Sequence, residues 1–200
     1  MHFAVGRLMI PPLVSLFNVH LFHSLTNLPF LLHIPLMLSF RYLHNKQLRK
    51  VNLACFPVQY QETYYKEVVE RRDEGLCKFA YFNGFVVGAA CARVENIPTT
   101  DGSAGDHRQR IYIMTLGVLA AYRGRNIGQQ LIQSIFDHYE ANKDGEFAKV
   151  DEISLHVQIS NDDAIRFYTS RFGFVQGEMV ENYYRRIDPP HCYILSKKLI

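Results

Sequence analysis

A β-like run, Ile111-Tyr112-Ile113-Met114-Thr115-Leu116-Gly117-Val118, passes through Tyr122-Arg123-Gly124-Arg125-Asn126-Ile127-Gly128 into apolar residues at helical spacing. A strand that turns within a few residues into a helix points the chain toward an α/β arrangement. Beyond the turn, Ile127, Leu131 and Ile135 fall on one stripe with Ile132, Phe136 and Tyr139 beside it, which marks the buried face of a helix. The turn itself is short, basic and glycine-containing. It aims several unpaired backbone N–H groups and the positive end of the helix dipole in one direction, the arrangement that seats a diphosphate.

The flanking segments extend this pattern. Residues 43–53 and Glu62–Arg72 are predicted helices. Lys78–Phe82 and Phe85–Arg93 form a hairpin, because Asn83-Gly84 is a type I′ turn signal. Ile97–Gln109 is a polar loop. Ile153–Gln158 is a strand, Asn161 to about Ser170 a helix, and the remainder holds two or three strands.

With 200 residues the chain suits one domain with a sizeable core, and a net charge of +3 is too mild to argue direct nucleic-acid binding. Cys55, Cys77, Cys91 and Cys192 form no CxxC pair and have no histidine at zinc spacing, so they read as reduced, buried thiols and no metal is expected. Residues 1–40 are different in kind, with Arg7 as their one formal charge and long apolar runs. Pro11, Pro12, Pro29 and Pro35 interrupt those runs, which argues against a membrane span, and no clean small-residue cleavage pattern follows. They are expected to be a leader upstream of a domain covering residues 41–200.

Downstream of the turn come Leu155-His156-Val157-Gln158, then Asn161 to Tyr168, then Phe172-Gly173-Phe174. Together these segments resemble the GNAT acetyltransferases, whose acetyl-CoA turn reads Arg/Gln-x-x-Gly-x-Gly/Ala. Within that family the chain is most similar to the catalytic subunits of NatE-type N-terminal α-acetyltransferases. The likeness is carried by Phe56-Pro57-Val58-Gln59-Tyr60, Tyr112 to Gly117, Leu155 to Gln158 and Asn182-Tyr183-Tyr184, and it runs from about Leu43 onward. It implies an α/β fold with a central mixed, largely antiparallel sheet flanked by helices. It also implies acetyl-CoA as cosubstrate, peptide or nascent-chain N-termini as acceptors, association with the NatA complex and the ribosome, and a cytoplasmic and nuclear location.

The resemblance assigns roles residue by residue. Tyr112 and His156 align with catalytic positions; imidazole titrates near neutrality, whereas a phenol near 10 is better suited to a water relay than to acting as a lone base. Leu116 and Val118 offer backbone groups to the pantetheine arm. Arg123, Gly124, Arg125, Asn126, Ile127 and Gly128 form the phosphate seat, with both arginines pairing to phosphate. Asn126 stands where the family has its middle glycine, and asparagine is among the few residues that tolerate left-handed dihedrals. Tyr168 is expected to hydrogen-bond the departing sulfur, and Asn161 either lines the cofactor or caps its own helix. Phe56, Pro57, Val58 and Tyr60 wall a pocket for a first residue such as Met, and Tyr183 and Tyr184 grip the peptide backbone; Met114, two residues along its strand from Tyr112, is placed on the same side by alternation, so both can face the substrate.

The thioester is already activated, so direct attack without an acyl-enzyme is expected. Two alternatives stand beside this reading. One is a lysine or small-amine acetyltransferase on the same fold. The other is a weakly active structural subunit of a ribosome-associated complex, favoured by Asn126, by the lack of a legible opening strand, and by Thr169-Ser170-Arg171, three residues where close relatives have two. Because every matched motif lies downstream, deleting residues 1–40 is expected to leave acetyl-CoA affinity and peptide preference unchanged. Calorimetry and a peptide panel measure both, and retention of the full chain in membranes after alkaline extraction would contradict the leader assignment.

Overall fold

The computed structural model describes residues 45–71, 74–97 and 108–199. Residues 1–40, and most of the predicted loop between Ile97 and Gln109, lie outside the described residues. Among the described residues the helices and strands follow in the order α1 (Asn45–Cys55), α2 (Glu62–Glu70), β1 (Cys77–Phe82), β2 (Phe85–Asn96), β3 (Gln109–Val118), α3 (Ile127–Asn142), β4 (Val150–Gln158), α4 (Asp162–Phe172), β5 (Val175–Val180) and β6 (Cys192–Lys198). Among the described residues no helix is long and apolar enough to cross a membrane.

The strands form one sheet in the order β1-β2-β3-β4-β6-β5. Every neighbouring pair is antiparallel except β3 and β4, which run parallel with α3 as their crossover. The β1–β2 hairpin turns where Asn83 and Gly84 take φ of 48° and 81°, the two positive values that a type I′ turn demands. Because side chains alternate across a strand, the sheet builds a separate core on each face. On one face Leu131, Ile132, Ile135 and Tyr139 of α3 and Ala164, Tyr168 and Phe172 of α4 pack on Ile111, Ile113, Ile153, Leu155 and Val157. On the other, Leu48 and Val51 of α1 and Tyr64, Tyr65 and Val68 of α2 pack on Phe79, Cys91, Tyr112 and Met114.

Several element ends differ from the sequence reading, β4 for instance starting at Val150 rather than Ile153. Strand β2 continues to Asn96, because Arg93 and Glu95 are paired by charged partners and need no loop. Helix α4 runs on through Phe172, absorbing the extra residue as helix. It stops at Gly173, whose φ of 69° lets its N–H reach Thr169 O (3.1 Å) while the Phe174 N–H reaches Tyr168 O (3.2 Å). At its start the Asn161 side chain accepts from the Ala164 N–H at 3.2 Å, the ordinary work of an asparagine N-cap. Asn161→Ala is therefore expected to cost about 1 kcal/mol of stability, measured as a lower urea midpoint at unchanged m value.

Candidate functional site

Strands β3 and β4 are paired only from Gln109↔Val150 to Tyr112↔Ser154. Yet β3 continues to Val118 and β4 to Gln158. Beyond Tyr112 the two strands part, leaving a cleft in the middle of the sheet whose edges carry backbone groups turned away from their own ladder. A bulge sharpens the divergence: Cys91 pairs with Thr115 and Ala92 with Ile113, so Met114 has no opposite residue on β2. Met114 and Thr115 consequently both serve the α1/α2 face, Met114 in its core and Thr115 through a 2.9 Å hydrogen bond between its Oγ1 and the Tyr64 hydroxyl. Leu116 and Val118 then turn to the α3/α4 face.

Tyr112 and His156 meet at the vertex of this cleft. The Tyr112 hydroxyl lies 2.9 Å from His156 Nδ1. Burial, followed by the neighbouring Tyr183, pushes the Tyr112 phenol well above its usual range. Burial and then the charge of Arg110, partly offset by Glu95, lower the His156 pKa to about 4. At neutral pH both rings are uncharged, so one proton lies between the Tyr112 oxygen and His156 Nδ1, and the imidazole tautomer sets which of the two donates. The ring is held in place by Tyr183, stacked on it at 4.4 Å between centroids and 9° between planes.

An ion network missed by the sequence reading supports the pair from below. Arg93 donates to both Glu67 oxygens (2.8 and 3.0 Å) and to Glu95 (2.8 Å), and Arg110 donates to Glu95 at 3.0 Å. The guanidinium groups of Arg93 and Arg110 stand 5.9 and 5.5 Å from the centre of the Tyr112 ring. The signal was present in the two-residue spacing of Arg93 and Glu95, which places both charges on the face that Tyr112 also occupies.

The predicted acceptor pocket comes together on that face. Phe56, Tyr60, Met114, Tyr112 and Tyr184 are buried in one cluster, with Val58 and Tyr183 packed against it, while Pro57 is exposed on the loop between α1 and α2. Phe56 and Tyr60 meet edge to face at 5.9 Å, as do Tyr183 and Tyr184 at 5.0 Å. Gly117 makes the approach of this loop feasible: a Cβ there would stand 3.1 Å from Cys55 Cβ and 3.2 Å from Phe56 Cζ.

On the opposite face, the turn into α3 has the backbone that the motif requires. Gly124 takes φ of 73° and Asn126 φ of 59°, so asparagine does occupy the left-handed region at the glycine position. A Cβ on Gly128 would meet Phe167 at 3.7 Å and Leu116 and Val118 at 3.9 Å, ordinary van der Waals contacts, so packing within the protein does not demand a glycine there. Both arginines rest against the protein itself. Arg123 Nε donates to Val118 O at 3.0 Å and its guanidinium also lies against the Cys55 thiol, so it is folded inward rather than aimed at the seat. The reason is local: Arg123 closes a 3₁₀ turn at Ala120–Tyr122 in extended conformation, which carries its side chain back along β3. Arg125 rests 5.8 Å from the Phe82 ring centre.

Tyr168 is fully buried, and among the described residues its hydroxyl has no hydrogen-bond partner. Such a group is costly unless a ligand supplies the missing bond. With the parted strands and the left-handed turn into α3, it fits acetyl-CoA as a ligand that Leu116, Val118, Gly124 to Gly128 and the Tyr168 hydroxyl could hold.

Residues 45–174 match the acetyltransferase (GNAT) family. The chain is 45% identical to N-alpha-acetyltransferase 50 of Danio rerio over 157 residues, covering 78% of this chain and 84% of that one. It is 43% identical to the probable N-acetyltransferase san of Drosophila melanogaster, over 78% and 77% of the two chains. The structure superposes with a TM-score of 0.66 on Arabidopsis thaliana Naa50 in complex with the bisubstrate analogue CoA-Ac-MVNAL, at 38% identity over 81% of this chain and 99% of that one.

The depressed His156 pKa has a consequence for stability. The unfolded chain binds a proton near pH 6.5 that the folded chain refuses until about pH 4. This group's share of stability is therefore complete above pH 6.5 and is lost as pH falls toward 4. Wild type is expected to lose about 2–3 kcal/mol through His156 between pH 7 and 4, and His156→Gln to lack that part of the slope. Urea unfolding at several pH values measures it.

Proposed function

Because the chain belongs to the GNAT acetyltransferase family and groups with N-alpha-acetyltransferase 50, we propose that it acetylates protein N-termini, taking acetyl from acetyl-CoA and preferring Met followed by an apolar residue. The observation that carries this reading is the Tyr112–His156 hydrogen bond at the vertex of the β3–β4 cleft. It sets a proton path between the acceptor pocket on one face and the cofactor seat on the other. When bound, acetyl-CoA supplies an acyl group already activated as a thioester, so the protein needs no nucleophile of its own.

What the residues supply is position and proton transfer. The α-amine arrives neutral; as it bonds to the acyl carbon and the carbon–sulfur bond breaks to release the thiolate, its nitrogen gives up a proton toward the Tyr112 oxygen, directly or through one water, while in the tautomer with Nδ1 free the Tyr112 hydroxyl passes its own proton to His156. The phenol never ionises, in keeping with its raised pKa. Phe56, Val58, Tyr60 and Met114 surround an unbranched apolar side chain, and methionine is the natural occupant of such an aromatic wall. The peptide of the Arabidopsis analogue, MVNAL, begins with that residue. Tyr183 and Tyr184 form the rim and crowd a long lysine approach.

The resemblance of four motifs to NatE catalytic subunits supports work beside the NatA complex at the ribosome, in the cytoplasm with a nuclear pool. Tyr112→Phe and His156→Ala are each expected to lower kcat about tenfold or more with acetyl-CoA affinity nearly unchanged. A Met-Leu peptide with a free α-amine should be acetylated, and the same peptide blocked at that amine but carrying lysine should not. Unchanged turnover in both variants, with chemistry rate-limiting, would defeat the assignment.

A further inference from the structure

We infer that Arg171 is a positioning residue of the acetyl-CoA seat: it draws the Asn126 carboxamide toward α4 and so keeps the first N–H groups of α3 open to the phosphates. The inference rests on the acetyl-CoA reading above and adds to it the residues that hold the seat open.

Asn126 is the N-cap of α3. An asparagine there ordinarily turns its side-chain oxygen onto the N–H of the second or third helical residue. Those are Gly128 and Gln129, whose N–H groups belong to the seat, and an asparagine that capped them would compete with phosphate for the same donors. Asn126, in the left-handed region at φ 59° rather than the extended backbone of an ordinary capping residue, makes no such bond. Its Oδ1 instead receives Arg171 Nη1 at 3.4 Å, and the same nitrogen donates to Gln129 Oε1 at 2.6 Å. One guanidinium thus engages both polar side chains bordering the helix start, while Gly128 between them has no side chain to place.

Arg171 owes its position to the extra residue in α4. It is the last of the three residues between Tyr168 and Phe172, and the helix carries all three in register. Each residue advances an α-helix by about 100°, so shortening this segment by one would swing the position away from α3. The two departures from the family motif, asparagine for glycine and three residues for two, are therefore in contact with one another. The first introduces a side chain at the seat and the second supplies the group that restrains it.

The test is a double-mutant cycle with acetyl-CoA binding read by calorimetry and steady-state kinetics run in parallel. Arg171→Ala is expected to weaken acetyl-CoA binding about three- to tenfold, with kcat and the peptide KM unchanged, while Asn126→Gly alone stays within about threefold of wild type. Combining the two should restore binding to within about twofold of Asn126→Gly, because no carboxamide remains to be restrained. If Arg171→Ala costs as much in the Asn126→Gly background as in the wild-type chain, direct charge attraction is at work and the positioning role is overturned. No loss in either background would overturn it too, leaving the acetyl-CoA reading intact. A wild-type chain that binds no acetyl-CoA would overturn that reading and this inference together.

Discussion

Everything functional in this molecule depends on two parallel strands that cease to pair. Between Tyr112 and Ser154 the β3–β4 ladder ends, although both strands continue. A sheet interior does not normally leave backbone donors and acceptors unmatched, since each unpaired buried group costs free energy comparable to a lost hydrogen bond. The opening persists because the surroundings enforce it. The bulge at Met114 re-aims β3, and the two cores clamp the diverging strands from opposite faces. Arg123 satisfies one of the exposed acceptors, Val118 O, from within the protein. The two faces also meet at the gap. Tyr168 and the start of α3 lie on one side of the sheet, Phe56, Tyr60 and Met114 on the other, and the hydrogen-bonded Tyr112–His156 pair sits at the vertex between them.

Much of this was legible in the sequence, and the parts that were not share a cause. The β1–β2 turn, the buried face of α3 and the capping of α4 are decided by a few neighbouring residues, and these read correctly from Asn83-Gly84, from the Ile127–Ile135 spacing and from Asn161. The pairing of Tyr112 with His156 and the gathering of Phe56, Tyr60, Tyr183 and Tyr184 were legible only through resemblance, because contacts across such separations leave no local pattern, whereas Met114 was placed beside Tyr112 by strand alternation. The bulge at Met114 was hidden because Ile111 to Val118 is apolar on both faces, so a one-residue slip in alternation changes nothing visible. The inward fold of Arg123 depends on the extended conformation that ends the 3₁₀ turn, and an arginine beside a glycine turn reads equally well as phosphate-facing. Gly117 looked like one letter of a motif; its use appears only when the α1–α2 loop is seated on it.

The electrostatics at the vertex bear on when the proton moves. A free α-ammonium has a pKa near 8, whereas His156 accepts a proton only near pH 4. Removing the proton from the ammonium to this ring would therefore run uphill by roughly four pKa units, about 5 kcal/mol. The acceptor must accordingly arrive as the neutral amine, a form that is roughly a tenth of the total at pH 7. Once nitrogen bonds to the acyl carbon it becomes a far stronger acid, and a weak base then suffices to take its proton. Placing a carboxylate alone beside the ring would raise the base strength but would also favour a charged imidazolium before substrate arrives. The network avoids this by pairing Glu95 with Arg93 and Arg110, so that Arg110 opposes the imidazolium while Glu95 offsets only part of that effect. The ring is thus kept neutral and able to accept, and a proton that reaches it is readily given up again, which a base that must be restored after every turnover requires.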